Sequence, residues 1–228
     1  FEKAHIKYTS TYALLMNLSF TSNSVQSQAI PFGTEKLLQK KPFSYQYVSW
    51  TPIRNLSIGV FQGIVWKPSD ERNRLSPNLD ILNPLIGVNT GIYGFNSFPK
   101  ILLGLDASVK LTKKLHTYFQ LAYDGKKGVS QDRAGYGWQF GIKAFDAFTV
   151  KNLFLQVESN VYQNSLYQAN NINSIANYSH YGNTLTLPVH GNSGNEVIGI
   201  LAYRYKRLLM SAKGNYYTAF AAQNVITS

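Results

Sequence analysis

The sequence predicts an all-β protein, a transmembrane antiparallel meander β-barrel of the outer-membrane type. Segments of about ten residues alternate between apolar and polar side chains, and the connections between them are alternately short and long. Charged residues make up only 14% of the chain and aromatic residues another 14%, whereas charged residues reach roughly a quarter in soluble domains. We expect residues 1–228 to form part of a single barrel domain.

The first predicted strand shows the alternation most clearly. Even positions from Ile6 to Phe20 are mostly apolar or aromatic, and odd positions from His5 to Ser19 are mostly polar. Successive side chains of a strand point to opposite faces, so one face would meet lipid and the other water. The run covers about 16 residues, against about 5–6 in a common soluble strand.

Seven further segments repeat this split, with Phe61 and Val65 as apolar exceptions on a polar side. They cover residues 56–66, 101–111, 115–123, 136–142, 153–161, 196–205 and 208–218. With the segment before the turn at Pro52–Asn55, we expect about nine strands. A soluble antiparallel sandwich also alternates, but its strands would be shorter and would not carry Tyr and Trp near both ends.

The connections predict which side of the membrane each strand end faces. Short turns on one side and long extracellular loops on the other are typical of outer-membrane barrels. Tight turns are predicted at Pro52–Asn55, Thr112–Lys114, Asp146–Asn152 and Lys206–Arg207. Long loops are predicted at 21–43, 67–100, 124–135 and 163–195. We therefore expect the long loops to face the outside of a bacterial cell.

The strand count predicts that the chain is a piece of a larger barrel. Bacterial single-chain barrels have an even number of strands, and nine strands would leave an open edge that cannot persist in lipid. The start at Phe1 lacks the basic and apolar regions of a secretion signal. We expect a mature or shortened chain, with the rest of the barrel outside this sequence at one or both ends.

Charge and motifs argue against several functions. The net charge is +11, but the basic residues are scattered rather than clustered, so no nucleic-acid partner is predicted. The chain has no Cys and no catalytic or nucleotide-binding motif, so no enzyme activity, metal or cofactor is predicted. One alternative stays open. His180 and His190 share a loop with Ser179 and Ser193, which an outer-membrane hydrolase could use.

Six strings, in this order and spacing, resemble the Wzi-type capsule-assembly family of outer-membrane barrels. They are Lys41–Pro52, Leu82–Ile86, Leu102–Asp106, Asp146–Phe148, Val150–Gln156 and Asn177–Tyr181. The likeness is greatest to the RemB-like gliding motility branch, and it covers the chain from about residue 40 onward. It implies a barrel of about 18 strands, roughly twice the length of this chain.

The resemblance implies a non-enzymatic role in the outer membrane. The expected function is attachment or assembly of surface polysaccharide (capsule), or scaffolding of a gliding-motility complex. The expected partners are outer-membrane lipid and lipopolysaccharide, surface polysaccharide, and other outer-membrane, motility or secretion proteins. A passive porin or solute transporter is the alternative function.

Two groups of side chains are candidates for ligand contact. Aromatic faces suit sugar rings, and cations suit the carboxylates of acidic polysaccharide. The candidate glycan-binding residues in the loops are Arg72, Arg74, Lys126, Lys127, Arg133, Tyr178, His180 and Tyr181. Inward strand positions form the second group, where cations would face carboxylates as neutralising pairs or form an anion-selective path. These are Lys110, Lys143, Arg204 and Lys213, opposite Asp106, Asp124 and Glu158.

Overall fold

The structure, a computed structural model, confirms an all-β antiparallel meander. It describes residues 5–18, 38–67, 69, 75, 78–95, 99–124, 135–162, 178–181, 183–184 and 194–219. Nine strands form one sheet in which each strand pairs with its neighbour along the chain. They are β1 (Ile6–Leu18), β2 (Leu38–Ile53), β3 (Leu56–Val65), β4 (Lys100–Lys110), β5 (Leu115–Asp124), β6 (Gly135–Phe145), β7 (Leu153–Tyr162), β10 (Gly194–Tyr205) and β11 (Leu208–Ala219).

Five short elements lie outside the large sheet, one of them a 3-10 helix at Ala147–Thr149 between β6 and β7. β8 (Ser179–His180) and β9 (Asn183–Thr184) form a small hairpin, and α1 (Val88–Tyr93) follows a 3-10 helix at Leu79–Leu82. The predicted loop at 67–100 is therefore partly ordered. No helix among the described residues is both long enough and apolar enough to span a membrane.

The strand positions confirm most of the predicted boundaries, and β2 corrects one. All four predicted tight turns join neighbouring strands. The predicted loop at 21–43 is wrong over its last six residues, because β2 begins at Leu38 and pairs with β1 from Leu18↔Leu38 onward. Alternation could not reveal β2, since Ser44 and Gln46 occupy the face that is otherwise apolar.

In a soluble protein the apolar face of a sheet is buried and the polar face is exposed. In this sheet the polar face is buried and the apolar face is exposed. What we call the polar face carries Asp106, Gln120, Gln139, Asn160 and Glu196, which are paired in register across β4 to β10. Asn160 is 1% exposed and Glu196 is 7% exposed. Phe61 and Val65, the two exceptions to the alternation, also lie buried on this face.

The opposite face, which we call the apolar face, exposes its side chains. Val157 on β7 is 46% exposed and Phe140 on β6 is 42% exposed. Exposed Tyr side chains occur on this face near both ends of the strands, which the sequence predicted. Tyr123 and Tyr136 are paired near the long-loop ends, and Tyr205 lies beside the short turn at Lys206–Arg207. A large apolar surface is thus turned outward.

The strands are progressively staggered along the sheet. One row of paired residues runs from Ile58 on β3 through Phe140 on β6 to Tyr216 on β11. Ile58 lies two residues from the short-turn end of β3, at Leu56, whereas Tyr216 lies eight residues from that end of β11, at Leu208. The row therefore climbs by about one residue per strand, which means that the strands are tilted relative to the line of turns.

Glycines on the polar face lie beneath aromatic rings of neighbouring strands. A methyl group at Gly104 would overlap the ring of Phe61, and one at Gly141 would overlap the ring of Tyr118. Phe61 belongs to the buried cluster of this face, which also contains Tyr162 and Tyr178. The glycines thus make room for large rings that pack flat against the sheet.

We expect Gly104→Ala to lower the free energy of unfolding by about 1–3 kcal/mol, because Phe61 must move to admit the methyl group. Urea unfolding of protein refolded in detergent micelles measures the effect. The matched control is Gly214→Ala, where an added carbon meets no atom within 4 Å and the change should stay within about 0.5 kcal/mol. Equal losses in both variants would contradict the packing account, as would an undiminished loss in a Phe61→Leu background.

The turn between β6 and β7 depends on Asp146. Its backbone has a positive φ of 50°; one carboxylate oxygen accepts the Asn152 N–H at 2.8 Å, and the other lies 3.0 Å from Lys114 Nζ. The hydrogen-bonded Lys114, followed by the Asn152 N–H, lowers the pKa of Asp146 below its ordinary value. Because the folded-state pKa is lowered, this stabilisation is present above the unfolded-state pKa and is lost as pH falls through the folded-state value.

We expect Lys114→Ala to raise the pKa of Asp146 toward its ordinary value of about 3.9. The carboxyl carbon shift of Asp146, followed by NMR as pH falls, measures the pKa. Lys113→Ala, at the preceding exposed position of the facing turn, is the matched control and should leave the pKa unchanged. An Asp146 pKa that does not respond to Lys114→Ala would show that the ion pair does not form in solution.

Candidate functional site

A hydrogen-bond network centred on Glu158 occupies the polar face. The Glu158 carboxylate accepts a hydrogen bond from the Tyr118 hydroxyl. It also accepts bonds from the side-chain amides of Gln139 at 2.9 Å, Asn160 at 3.0 Å and Gln156 at 3.3 Å. Cross-strand pairing brings these residues of β5, β6 and β7 side by side. A buried carboxylate is thereby surrounded by neutral donors.

The same network continues onto the last two strands of the sheet. Asn160 Nδ2 also donates to Glu196 at 3.2 Å, and Asn215 Nδ2 donates to Glu196 at 2.7 Å. Beside them, the Tyr162 hydroxyl donates to the Tyr217 hydroxyl at 3.0 Å. Amide, carboxylate and phenol groups therefore line the polar face from β5 to β11. Such groups recognise hydroxyl-rich ligands by hydrogen bonding.

Three basic side chains of this face lie in one row, a grouping that the sequence did not predict. Lys110, His116 and Lys143 are directly paired across β4, β5 and β6, and Lys143 Nζ lies 4.9 Å from the centre of the Tyr118 ring. Alternation identifies the face of each side chain but not its row in the sheet, so the grouping could not be read from the sequence. The charges of Lys110 and Lys143, on the strands either side of His116, favour a counter-anion at this row.

The carboxylates on the polar face have partners that differ from the predicted ones. Asp124 forms an ion pair of 3.0 Å with Lys100, at the long-loop end. Asp106 accepts the Tyr47 hydroxyl at 3.3 Å, and Glu158 binds neutral donors. The prediction that Lys110, Lys143, Arg204 and Lys213 neutralise these carboxylates in cross-strand pairs is therefore wrong for Glu158 and Asp124, because nearer groups satisfy them.

The segment 178–181 reaches from the connection after β7 to the first four strands. The Tyr178 hydroxyl donates to the carbonyls of Gly63 at 3.3 Å and Lys100 at 3.1 Å, and its ring meets the Phe43 ring edge to face at 6.3 Å. His180 Nδ1 accepts the Met16 N–H at 3.1 Å, which places the proton of a neutral imidazole on Nε2. The segment thus bridges strands that are far apart in the sheet order.

The structure brings together three of the predicted glycan-binding residues, Tyr178, His180 and Tyr181. Tyr178 is 3% exposed and serves packing, whereas Tyr181 is 53% exposed and offers its ring to solvent. Arg72, Arg74, Lys126, Lys127 and Arg133 lie outside the described residues. So do His190 and Ser193 of the hydrolase alternative. Glycan binding by this set therefore stays a prediction.

A metal site or a relative of known function would indicate what the site could hold. Over the part of the chain that the structure describes, no group of three or more His, Asp or Glu side chains is placed to hold a metal ion. Comparisons of the chain with protein-family models, curated proteins and solved structures found no match.

We expect Glu158→Leu to lower the free energy of unfolding by about 2 kcal/mol or more, because buried amide and hydroxyl donors lose their shared acceptor. Glu158→Gln keeps one acceptor oxygen and should cost less. Urea unfolding in detergent micelles compares the two variants with the unmodified chain. A Glu158→Leu variant at least as stable as the unmodified chain would mean that desolvation of the carboxylate outweighs its hydrogen bonds.

Proposed function

We propose that the nine strands form part of the wall of a bacterial outer-membrane β-barrel. The observation that carries the proposal is the inverted exposure of the sheet: Val157 and Phe140 lie exposed while Asn160 and Glu196 lie buried. Water would penalise so large an apolar surface. A lipid bilayer favours it, and the polar face then lines the barrel interior.

The stagger of the strands supports this placement. A climb of one residue per strand corresponds to a rise of about 3.4 Å over a strand spacing of about 4.8 Å, hence a tilt of about 35°. Barrel walls need a tilt of about 35–45°. Tilted strands of 10 to 16 residues are long enough to span the hydrocarbon core, which needs about 9–11.

The two edge strands of the sheet, β1 and β11, indicate whether the nine strands make a complete barrel. Within the described residues, β1 and β11 each pair with one strand of the sheet, so the sheet has two open edges. On the outer edge of β1, the Met16 backbone binds His180 and Tyr181, whereas an open edge in a membrane needs partners for all its backbone groups. Lipid offers no hydrogen bonds to such groups. We infer that further strands complete the barrel.

The barrel serves the attachment or assembly of surface polysaccharide, or scaffolds a gliding-motility complex at the cell surface. The amides and phenols on the polar face, together with the exposed ring of Tyr181, support the first role because they suit hydroxyl-rich chains. The sequence resemblance to capsule-assembly and gliding barrels supports both roles. No catalytic step is part of this proposal.

Anion permeation is the second candidate, and the row Lys110, His116 and Lys143 favours it. Two lysine cations in one row of an interior face attract anions. A conducting pore with anion preference should lose that preference when Lys110 and Lys143 are both replaced by Gln. Single-channel recording of the intact gene product in planar bilayers measures it, and an absence of conductance would exclude this candidate.

Deleting the gene tests the leading proposal. We expect surface polysaccharide to move from the cell to the medium, or gliding to fail, and complementation to restore either phenotype. Quantifying cell-bound and shed polysaccharide in the same strains that are scored for gliding separates the two roles. Tyr181→Ala in the complementing gene should reduce retention if its exposed ring contacts the polysaccharide. Unchanged retention and unchanged gliding after deletion would contradict the proposal.

A further inference from the structure

The residues 78–95, which we call the flank segment, lie on the apolar face of the sheet. Ile81, Tyr93 and Phe95 pack on the buried side chains of Ile64, Trp66 and Ile101, which all belong to that face. The Trp66 and Tyr93 rings meet edge to face at 5.8 Å. The flank segment therefore lies on the outside of the proposed wall, not over the interior that extracellular loops commonly cover.

The wall supplies hydrogen bonds to the irregular backbone of the flank segment. The Tyr8 hydroxyl donates to the Pro84 carbonyl at 2.6 Å, and the Tyr12 hydroxyl donates to the Leu82 carbonyl at 3.2 Å. The Gly87 N–H donates to Gln62 Oε1 at 2.5 Å. These wall side chains lie on β1 and β3 and point away from the polar face.

This pairing explains why polar residues interrupt the apolar face of the wall. Gln46 and Gln62 are directly paired on β2 and β3, at about mid-height, and both are fully buried. Gln46 Nε2 donates to the Asn83 carbonyl at 3.5 Å. In lipid, irregular backbone is tolerated only where protein groups satisfy it. The two glutamines and the tyrosine hydroxyls provide that condition along residues 82–87.

The opposite side of the flank segment is apolar and exposed. Leu79 is 81% exposed and Ile92 is 64% exposed. Leu82, Leu85 and Val88 are also exposed. Asp80 is the only charged residue among the 18 of the segment, and its carboxylate accepts the Tyr93 hydroxyl within the segment. This surface of the segment is therefore apolar and exposed, like the face of the sheet around it.

We propose that the flank segment is a lipid-contacting element, held between the barrel wall and the acyl chains of the bilayer. Its leucines continue the apolar surface of the wall, and its polar backbone turns toward Tyr8, Tyr12, Gln46 and Gln62. The proposal rests on the placement of the wall in a membrane. It goes further by assigning a lipid contact to a connection that the sequence predicts to be an extracellular loop.

Single spin labels test the lipid contact in the intact protein reconstituted into phosphatidylcholine vesicles. The described chain has no Cys, so Leu85→Cys carries the only label in it. Two matched labels calibrate the result: Leu105→Cys on the exposed apolar face and Lys113→Cys in an exposed turn. Power saturation with oxygen, which concentrates in lipid, and with a water-soluble nickel chelate measures the surroundings of each label.

We expect the Leu85 label to resemble the Leu105 label, with high oxygen access and low nickel access. Nickel access at Leu85 like that at Lys113, with Leu105 in lipid, would overturn the lipid contact and leave the barrel intact. Nickel access at Leu105 itself would instead overturn the proposed membrane placement. Low access to both reagents at Leu85, with label-to-label broadening, would overturn the proposal in favour of a contact between two copies of the protein.

A second variant tests how the segment is held. Tyr12→Phe removes the hydroxyl that binds the Leu82 carbonyl, so the Leu85 label should become more mobile. Tyr136→Phe is the matched control, because Tyr136 is an exposed tyrosine of the same face on β6, far along the sheet from the segment. Equal label mobility in the two variants would overturn the proposed attachment.

Discussion

The antiparallel ladder of backbone hydrogen bonds is the constraint on which the rest of the structure depends. Each of the nine strands pairs with its neighbour in a fixed register, and a shift of one residue would exchange the two faces. The register therefore decides which side chains are buried. It also places Gln139, Asn160 and Glu196 in one row, so the network around Glu158 follows from the pairing.

The polar face shows how such a ladder can carry charge without matching each cation to a carboxylate. Glu158 accepts hydrogen bonds from Tyr118, Gln139, Gln156 and Asn160, and hydrogen bonds to a charged group are stronger than those between neutral groups. Lys110 and Lys143 lie in a row of their own on β4 and β6, whereas Lys100 forms an ion pair with Asp124.

Alternation predicted most of the sheet. It failed where a contact with a residue outside the side chain's own strand determines its position. β1 and β4 to β7 follow the two-residue period, because one of their faces is apolar and the other polar. β2 breaks the period at Ser44 and Gln46: Ser44 accepts the Trp66 indole N–H at 3.0 Å, and Gln46 reaches the flank segment. Tyr178 was predicted as a loop residue, yet it is buried against Phe43 by a contact between residues 135 positions apart, which no local pattern encodes.

The flank segment and the polar residues that interrupt the apolar face of β2 and β3 depend on each other. A wall facing lipid alone would gain from Leu or Val at Gln46 and Gln62, since each buried apolar side chain contributes roughly 1.5–3 kcal/mol. An irregular segment facing lipid alone would leave carbonyls unpaired at a cost of several kcal/mol each. Placed together, each feature lowers the cost of the other, because Gln46 Nε2 donates to the Asn83 carbonyl and Gln62 Oε1 accepts the Gly87 N–H. Gln46, which interrupts the alternation of β2 in the sequence, is thus one of the residues that hold the flank segment on the apolar face of the sheet.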